Sequence, residues 1–222
     1  MTGRIGIVTG IAQEHALIKA CSEALEEAAR PLLRCAGMDG ERAAQMAADL
    51  MAEGVDGLLS FGVAGGLDPT LKPGDLVLPE VLLSQGAPRA LADRRWLDAA
   101  FGLASPASIG PLVTSARVVT TAREKATLYR ASHAVAVDME SHPIASFANS
   151  AGVPFIALRV IIDPAHQDLP AAALAGNAPR TLGALLRRPQ HLPGLIRLAR
   201  NMAKAKRTLG RVGRDGLPRF GL

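Results

Sequence analysis

With 222 residues, 49 % of them apolar and 20 % charged, the chain suits one globular domain with a sizeable core, and a disordered chain is excluded. Aromatic residues make up only 3 %, which argues against rows of stacking platforms for single-stranded nucleic acid. The net charge of +5 conceals an asymmetry: residues 1–179 hold 14 Lys and Arg against 19 Asp and Glu, whereas residues 180–222 hold 11 against one acid, Asp215.

The opening MTGRIGIVTG is too short and too glycine-broken for a signal peptide, and no apolar run reaches the ~18 residues of a membrane span. Cys21 and Cys35 lack metal-ligand spacing and read as packing residues in a reducing cytoplasm. Short apolar runs then alternate with helical patterns, the signature of a mostly parallel sheet covered by helices. The pattern predicts a strand over 4–9, a helix over 14–29, a second helix over 41–53 and a strand over 57–61. Further strands are expected over 75–79, 108–113 and 134–139. A helix follows over 141–151, with Pro143 in its first turn, where the missing N–H costs little. The longest apolar run, 154–162, should be a buried central strand. From 191 to 211, Leu195, Leu198, Met202, Ala205 and Leu209 recur at steps of three and four, opposite Arg197, Arg200, Lys204, Arg207 and Arg211. That is a basic amphipathic helix, suited to an anionic membrane surface or to packing on the domain with a solvated basic face. The expected organisation is a single three-layer α/β/α domain with a central mixed sheet over 1–186, followed by a basic helix and tail over 187–222.

Three segments fall where strands should end, the place where open α/β sheets gather their active sites. They are Gly6 to Glu14, Ser60 to Asp75, and Ala136 to Glu140 continued by Arg159 to Asp163. Each has a plain reading. Gly62, Gly65 and Gly66 suit a tight turn or a close approach of backbone amides to an anion or sugar. Glu14 suits the first turn of a helix, and Asp163 before Pro164 a turn or cap. Arg159 inside an apolar strand demands an anionic partner, for which Glu14, Glu140 or a substrate are the candidates.

Gly62-Val-Ala-Gly-Gly-Leu-Asp-Pro-Thr-Leu-Lys-Pro-Gly-Asp75 resembles the glycine-rich signature of the purine and uridine phosphorylase superfamily, most closely its methylthioadenosine/S-adenosylhomocysteine nucleosidase branch. Val137-Asp-Met-Glu140 is similar to that family's ribose-binding segment, and Arg159-Val-Ile-Ile-Asp163 to the strand that ends in its catalytic aspartate. The phrases Ser60 to Leu67, Ser115 to Ala126 and Val137 to His142 resemble the hopanoid-associated phosphorylase group, whose proposed substrate is adenosylhopane. The resemblance implies an enzyme that cleaves the N-glycosidic bond of a 5′-substituted adenosine, with no cofactor and no metal, in a homo-oligomer.

By that resemblance Asp163 is the acid acting at adenine N7, its pKa raised by apolar surroundings for which 155–158 and 161–162 are candidates. Glu140 holds the ribose hydroxyls; Met139, Val63, Gly65 and Val118 line the substrate; Glu14, Glu140 and Arg159 hold the attacking water. Where the hexameric phosphorylases grip phosphate, this chain carries Ser60 and Val63, which favours water. Ser115, Arg117 and the amides around Gly65 remain an alternative phosphate site. The interval between residues 82 and 107 is short for a lid, which suits a lipid-linked substrate protruding toward a membrane that the 191–211 helix contacts. Rival readings are a soluble methylthioadenosine nucleosidase, a non-catalytic nucleoside-binding module, and a nucleic-acid-binding protein. Confinement of the charge to the tail argues against the last.

Overall fold

The computed structural model describes residues 4–103, 107–170 and 192–220. One mixed sheet of ten strands, flanked by helices on both faces, carries these residues. Its backbone is the parallel trio β1 (Ile5–Thr9), β3 (Gly57–Gly66) and β10 (Phe155–Asp163), with β2 (Leu32–Cys35) paired parallel outside β1. All five residues of β1 are buried, as in a strand covered on both faces. The long β3 serves two neighbours on one edge: Gly57–Phe61 pair with β1, and Gly65–Gly66 pair antiparallel with β9 (Ala136–Asp138). This hand-over curls the sheet. From β9 it continues through β8 (Leu112–Thr114), β5 (Val81–Ser84) and β6 (Ala90–Leu91). On the far side of β10 lie β4 (Leu76–Leu78) and β7 (Ala107–Ile109).

The helices are α1 (Ala12–Ser22), α2 (Gly40–Ala52), α3 (Arg94–Ala100), α4 (Ala122–Ser132), α5 (Ser141–Ala151) and α6 (Leu192–Gly216). Side-chain caps mark three of their starts: Asp39 accepts from Arg42 N, Asp93 from Trp96 N, and Thr121 from Glu124 N in a capping box. The expected 14–29 helix stops at Ser22, whose hydroxyl donates back to the Lys19 carbonyl at 2.7 Å, and a 3₁₀ turn over Glu27–Ala29 leads into β2. The single strand expected over 108–113 is two, β7 and β8, which pair in different parts of the sheet and are divided at Gly110-Pro111, where proline supplies no N–H to a ladder. The glycines 62, 65 and 66 belong to β3 itself, so the tight-turn reading fails.

Two apolar cores lie on the two faces of the sheet. One packs α2 and α5; the other packs α1, α3 and the C-terminal half of α6, which contributes Ala205, Leu209 and Val212 at 0 % exposure. The boundary expected at 186/187 lies outside the described residues, but this half of α6 is core. No helix among the described residues is long and apolar enough to cross a membrane. Leu209→Ala should therefore cost ~2–5 kcal/mol, the range for emptying a buried leucine site, read as a lower urea midpoint. A loss within ~0.5 kcal/mol, as at an exposed position, would show that α6 does not support the core.

Candidate active site

The carboxyl ends of β1, β3, β9 and β10 meet around one cavity of ≈ 820 Å³. Each of the eight residues singled out in the sequence lines it: Glu14, Val63, Gly65, Val118, Met139, Glu140, Arg159 and Asp163. The rest of its lining includes an apolar wall of Met38, Val119, Leu169, and Leu195, Leu198 and Met202 of α6. No described residue of the 82–107 interval lines it, and the side is formed by the last helix.

Arg159 is the centre of the polar floor. Its guanidinium, 1 % exposed and permanently charged, must be neutralised locally. Nη2 lies 2.9 Å from Asp138 Oδ2 and 3.5 Å from Glu140 Oε2. It also donates to Ser60 Oγ at 2.6 Å and Ser141 Oγ at 3.0 Å, while Nε donates to Ser141 Oγ at 3.1 Å. The nearest countercharge is thus Asp138, which the sequence reading did not name. Asp138 is itself fixed by the Thr114 hydroxyl (2.7 Å) and the Ser141 N–H (3.1 Å). Because Asp138 ends β9 and Glu140 follows two residues on, both carboxyls reach the same side; that i, i+2 spacing was the missed signal.

Glu14, in the first turn of α1, is held by backbone rather than by arginine. Its Oε2 accepts from Gly10 N (2.9 Å) and Ile11 N (3.0 Å), and its Oε1 accepts from Val63 N (2.8 Å). Two glycines make room for this crowding. A Cβ on Gly62 would lie 2.6 Å from both Arg159 Nη1 and Glu14 Oε1, and one on Gly10 would lie 2.8 Å from Glu140 Oε1. Burial raises the pKa of Glu14, offset in part by Arg159 and the three amides. Burial likewise raises Glu140, with Arg159 pulling it down and the charges of Asp138 and Glu14 pushing it further up. One arginine thus faces three carboxyls, and burial with mutual repulsion pushes Glu14 and Glu140 toward protonation.

Asp163 stands apart, across the cavity at the end of β10, where a register shift between Ile161 and Asp163 re-aims the strand. Gly65 lies beside it: a Cβ there would sit 3.4 Å from each carboxyl oxygen. Burial pushes Asp163 up to about 6, against the lowering effect of Lys125, which is fully buried and ion-paired to Oδ2. The apolar run 155–158 lies at the opposite end of β10, eight residues or ~25 Å away for the first of them, so it is not the source of that burial. Lys125 was not singled out in the sequence, although it shares a helical face with Leu128 and Tyr129, which pack on the apolar cluster around Leu67 and Val137.

The residues considered for phosphate are engaged elsewhere. Ser60 is fully buried on Arg159 and Ser141. Ser115 Oγ donates to the Arg117 carbonyl, and Arg117 Nη1 pairs with Glu124 at 2.8 Å on the rim.

A curled mixed α/β sheet with a glycine-bearing strand and carboxyls at the strand ends defines the phosphorylase class of fold. The chain belongs to the phosphorylase superfamily, whose family model matches residues 24–187. Among solved structures it is similar to the 5′-methylthioadenosine/S-adenosylhomocysteine nucleosidase of Neisseria meningitidis in complex with methylthio-immucillin-A, at 18 % identity and TM-score 0.75 over 96 % of this chain and 98 % of that one. It is similar to the futalosine hydrolase of Helicobacter pylori at 18 % identity and TM-score 0.71, covering 96 % and 97 % of the two chains. The Colwellia psychrerythraea nucleosidase in complex with adenine gives 17 % identity and TM-score 0.72, over 100 % of this chain and 97 % of that one. No curated protein matches the chain.

Replacing Arg159 by Leu should leave Asp138 and Glu140 buried without a cation and cost ~3–5 kcal/mol. Glu140 already has a folded pKa above its unfolded one, and loss of the cation that lowers it moves it further up, so its penalty grows as pH rises through the ordinary carboxylate range and shrinks below it. Urea unfolding should therefore show the deficit of the variant narrowing from about pH 8 to about pH 5. A pH-independent deficit would mean that the carboxyls are satisfied without Arg159.

Proposed function

We propose that the protein is a nucleosidase that hydrolyses the N-glycosidic bond of a 5′-substituted adenosine and releases adenine. The observation that carries this reading is the division of the cavity between a floor of excess carboxyls and, opposite, a single buried acid. Expelling a purine builds positive charge on the ribose and negative charge on the base. Glu140 and Glu14 place negative charge beside the sugar. With raised pKa values they also suit a base that takes a proton from water. Asp163, raised to about 6, supplies a proton to the purine ring. Met139 packs against the nucleoside, with Val63, Gly65 and Val118 as further contacts. Water is favoured over phosphate because the Arg159 guanidinium is consumed by its own protein partners, and a phosphate dianion would meet the carboxyls of Glu14 and Glu140 with no free cation among the described lining residues.

The apolar wall of Leu195, Leu198 and Met202 suits a large apolar 5′ substituent. Together with the resemblance to the hopanoid-associated group, it supports adenosylhopane as the substrate of this reading. The apolar face of α6 is turned into the protein, so any membrane contact is electrostatic rather than inserted. Arg197, Arg200, Lys204, Arg207 and Arg211 are exposed and contribute ~1 kcal/mol each near an anionic surface. A homo-oligomer in the cytoplasm, at times bound to the inner face of the membrane, completes the proposal.

Adenine release should proceed at full rate in phosphate-free buffer and yield the free sugar; strict phosphate dependence with a sugar 1-phosphate product would restore phosphorolysis. Asp163→Asn should lower turnover by ~10²–10⁴ with the fold retained. Since the acid must be protonated, kcat/KM should fall as pH rises through about 6. A folded Asp163→Asn protein of unchanged rate would remove the role given to this residue. Reversing Arg197, Arg200, Lys204 and Arg207 to Glu spares the core and should abolish salt-sensitive co-sedimentation with anionic liposomes. It should slow a lipid-linked adenosine more than soluble methylthioadenosine. Equal rates on both substrates would leave a soluble methylthioadenosine nucleosidase.

A further inference from the structure

Among the described residues two cations are buried, and the mechanism above uses only Arg159. Lys125 of α4 is the other, at 0 % exposure. Burying an ammonium is costly unless each of its three N–H groups finds an acceptor. Nζ donates to the Pro164 carbonyl at 3.0 Å and the Gln167 carbonyl at 2.8 Å, and it is ion-paired to Asp163 Oδ2, a buried oxygen with no hydrogen-bond donor among the described residues. The same stretch of chain is tied to the start of α4 twice more: Asp168 Oδ1 accepts from Ala122 N at 2.7 Å, and Leu169 N donates to the Thr120 carbonyl at 2.7 Å. Leu169 lines the cavity. Lys125 therefore joins the acid, the wall that follows it and α4 into one rigid unit.

We propose that Lys125 is a positioning residue for protonation of the purine: it holds Asp163 by Oδ2, so that Oδ1 carries the proton to the base, and it receives the carboxylate charge that the transfer leaves behind. This rests on the reading of Asp163 as the acid. In the step, the Oδ1 proton moves to a purine ring nitrogen while the electron pair of the glycosidic bond passes to the purine. Water adds to C1′ and gives its proton to a floor carboxylate. Asp163 ends as an anion against the ammonium, a full ion pair where there had been a cation beside a neutral acid. The driving force for the transfer then comes from α4, outside the three motifs at the strand ends. The charged groups sharing the cavity are Glu14 of α1, Asp138 of β9, Glu140 before α5, Arg159 of β10 and Arg117 on the rim. Lys125 is the charge paired directly with Asp163. An adjacent cation favours the ionised carboxyl, so its removal moves the Asp163 titration upward.

The decisive measurement is a carboxyl-carbon NMR titration of Asp163 in ¹³C-aspartate-labelled protein without substrate, assigned with Asp163→Asn. In Lys125→Gln, which retains donors for the two carbonyls, and in Lys125→Met, the midpoint should rise by about one pH unit or more. In the unsubstituted protein the ¹⁵N resonance of Lys125 Nζ should step at the Asp163 midpoint and lose that step in Asp163→Asn, a readout that needs no Lys125 variant to fold. In adenine-release assays kcat should fall ~10- to 100-fold with KM within ~3-fold, and the alkaline limb of kcat/KM should move up with the NMR midpoint. An unmoved Asp163 midpoint, or an Nζ resonance indifferent to Asp163, overturns the proposal. If the unsubstituted protein releases no adenine from any adenosine, the nucleosidase reading fails while the two titrations still decide the Lys125–Asp163 coupling.

Discussion

A guanidinium with no access to water governs the architecture at the strand ends. Arg159 cannot shed its proton, so the protein must bring anions and hydroxyls to the middle of its own sheet. Asp138 arrives because β9 joins the last two residues of β3, and Ser60 is supplied by β3 itself. Ser141 follows because α5 starts immediately beyond Glu140. Glycine at 10 and 62 is the complement of this demand, since a methyl group at either position would occupy the space of a carboxyl or of the guanidinium. The hand-over on β3 brings Asp138 to this charge, and the missing side chains at 10 and 62 leave room for it and its carboxyls.

That charge also separates the two kinds of carboxyl in the cavity. Asp138 is committed to Arg159 and saturated by Thr114 and Ser141, so it serves structure. Glu14 and Glu140 share what positive charge remains and keep raised pKa values. Asp163 lies outside this economy and answers to Lys125 instead. Two cations therefore partition the buried carboxyls, Asp138, Glu14 and Glu140 around Arg159 and Asp163 beside Lys125.

Much of this was legible in the residues and some was not, for physical reasons. The buried strands β1, β3 and β10 announce themselves as apolar runs, and the eight chosen residues, seven of them from three short motifs, do line one cavity. β2, β5 and β6 have two to four residues each, too few to establish a period, and they owe their pairing to neighbours. The partner of Arg159 was sought among the glutamates of the motifs because a buried arginine calls for an anion, and its neighbour Asp138 was passed over. Lys125 was not singled out, and only the loop after β10 reveals why its side chain points inward. The stripe of α6 is uniform in sequence, yet Ala205, Leu209 and Val212 fill the core while Leu195, Leu198 and Met202 face the cavity.

The position of α6 in the order of synthesis adds a further constraint. Chains emerge from the ribosome N-terminus first, so the strands and the charged floor exist before the element that covers them. Until α6 docks, the core face formed by Ile18, Leu76 and Val160 lies open, and the cavity lacks its apolar side. A nascent chain paused after β10 would display both a sticky apolar surface and a water-filled trough of carboxyls, and would have no complete pocket in which a nucleoside could stabilise it. In the finished fold one helix both seals the core and completes the apolar side of the cavity.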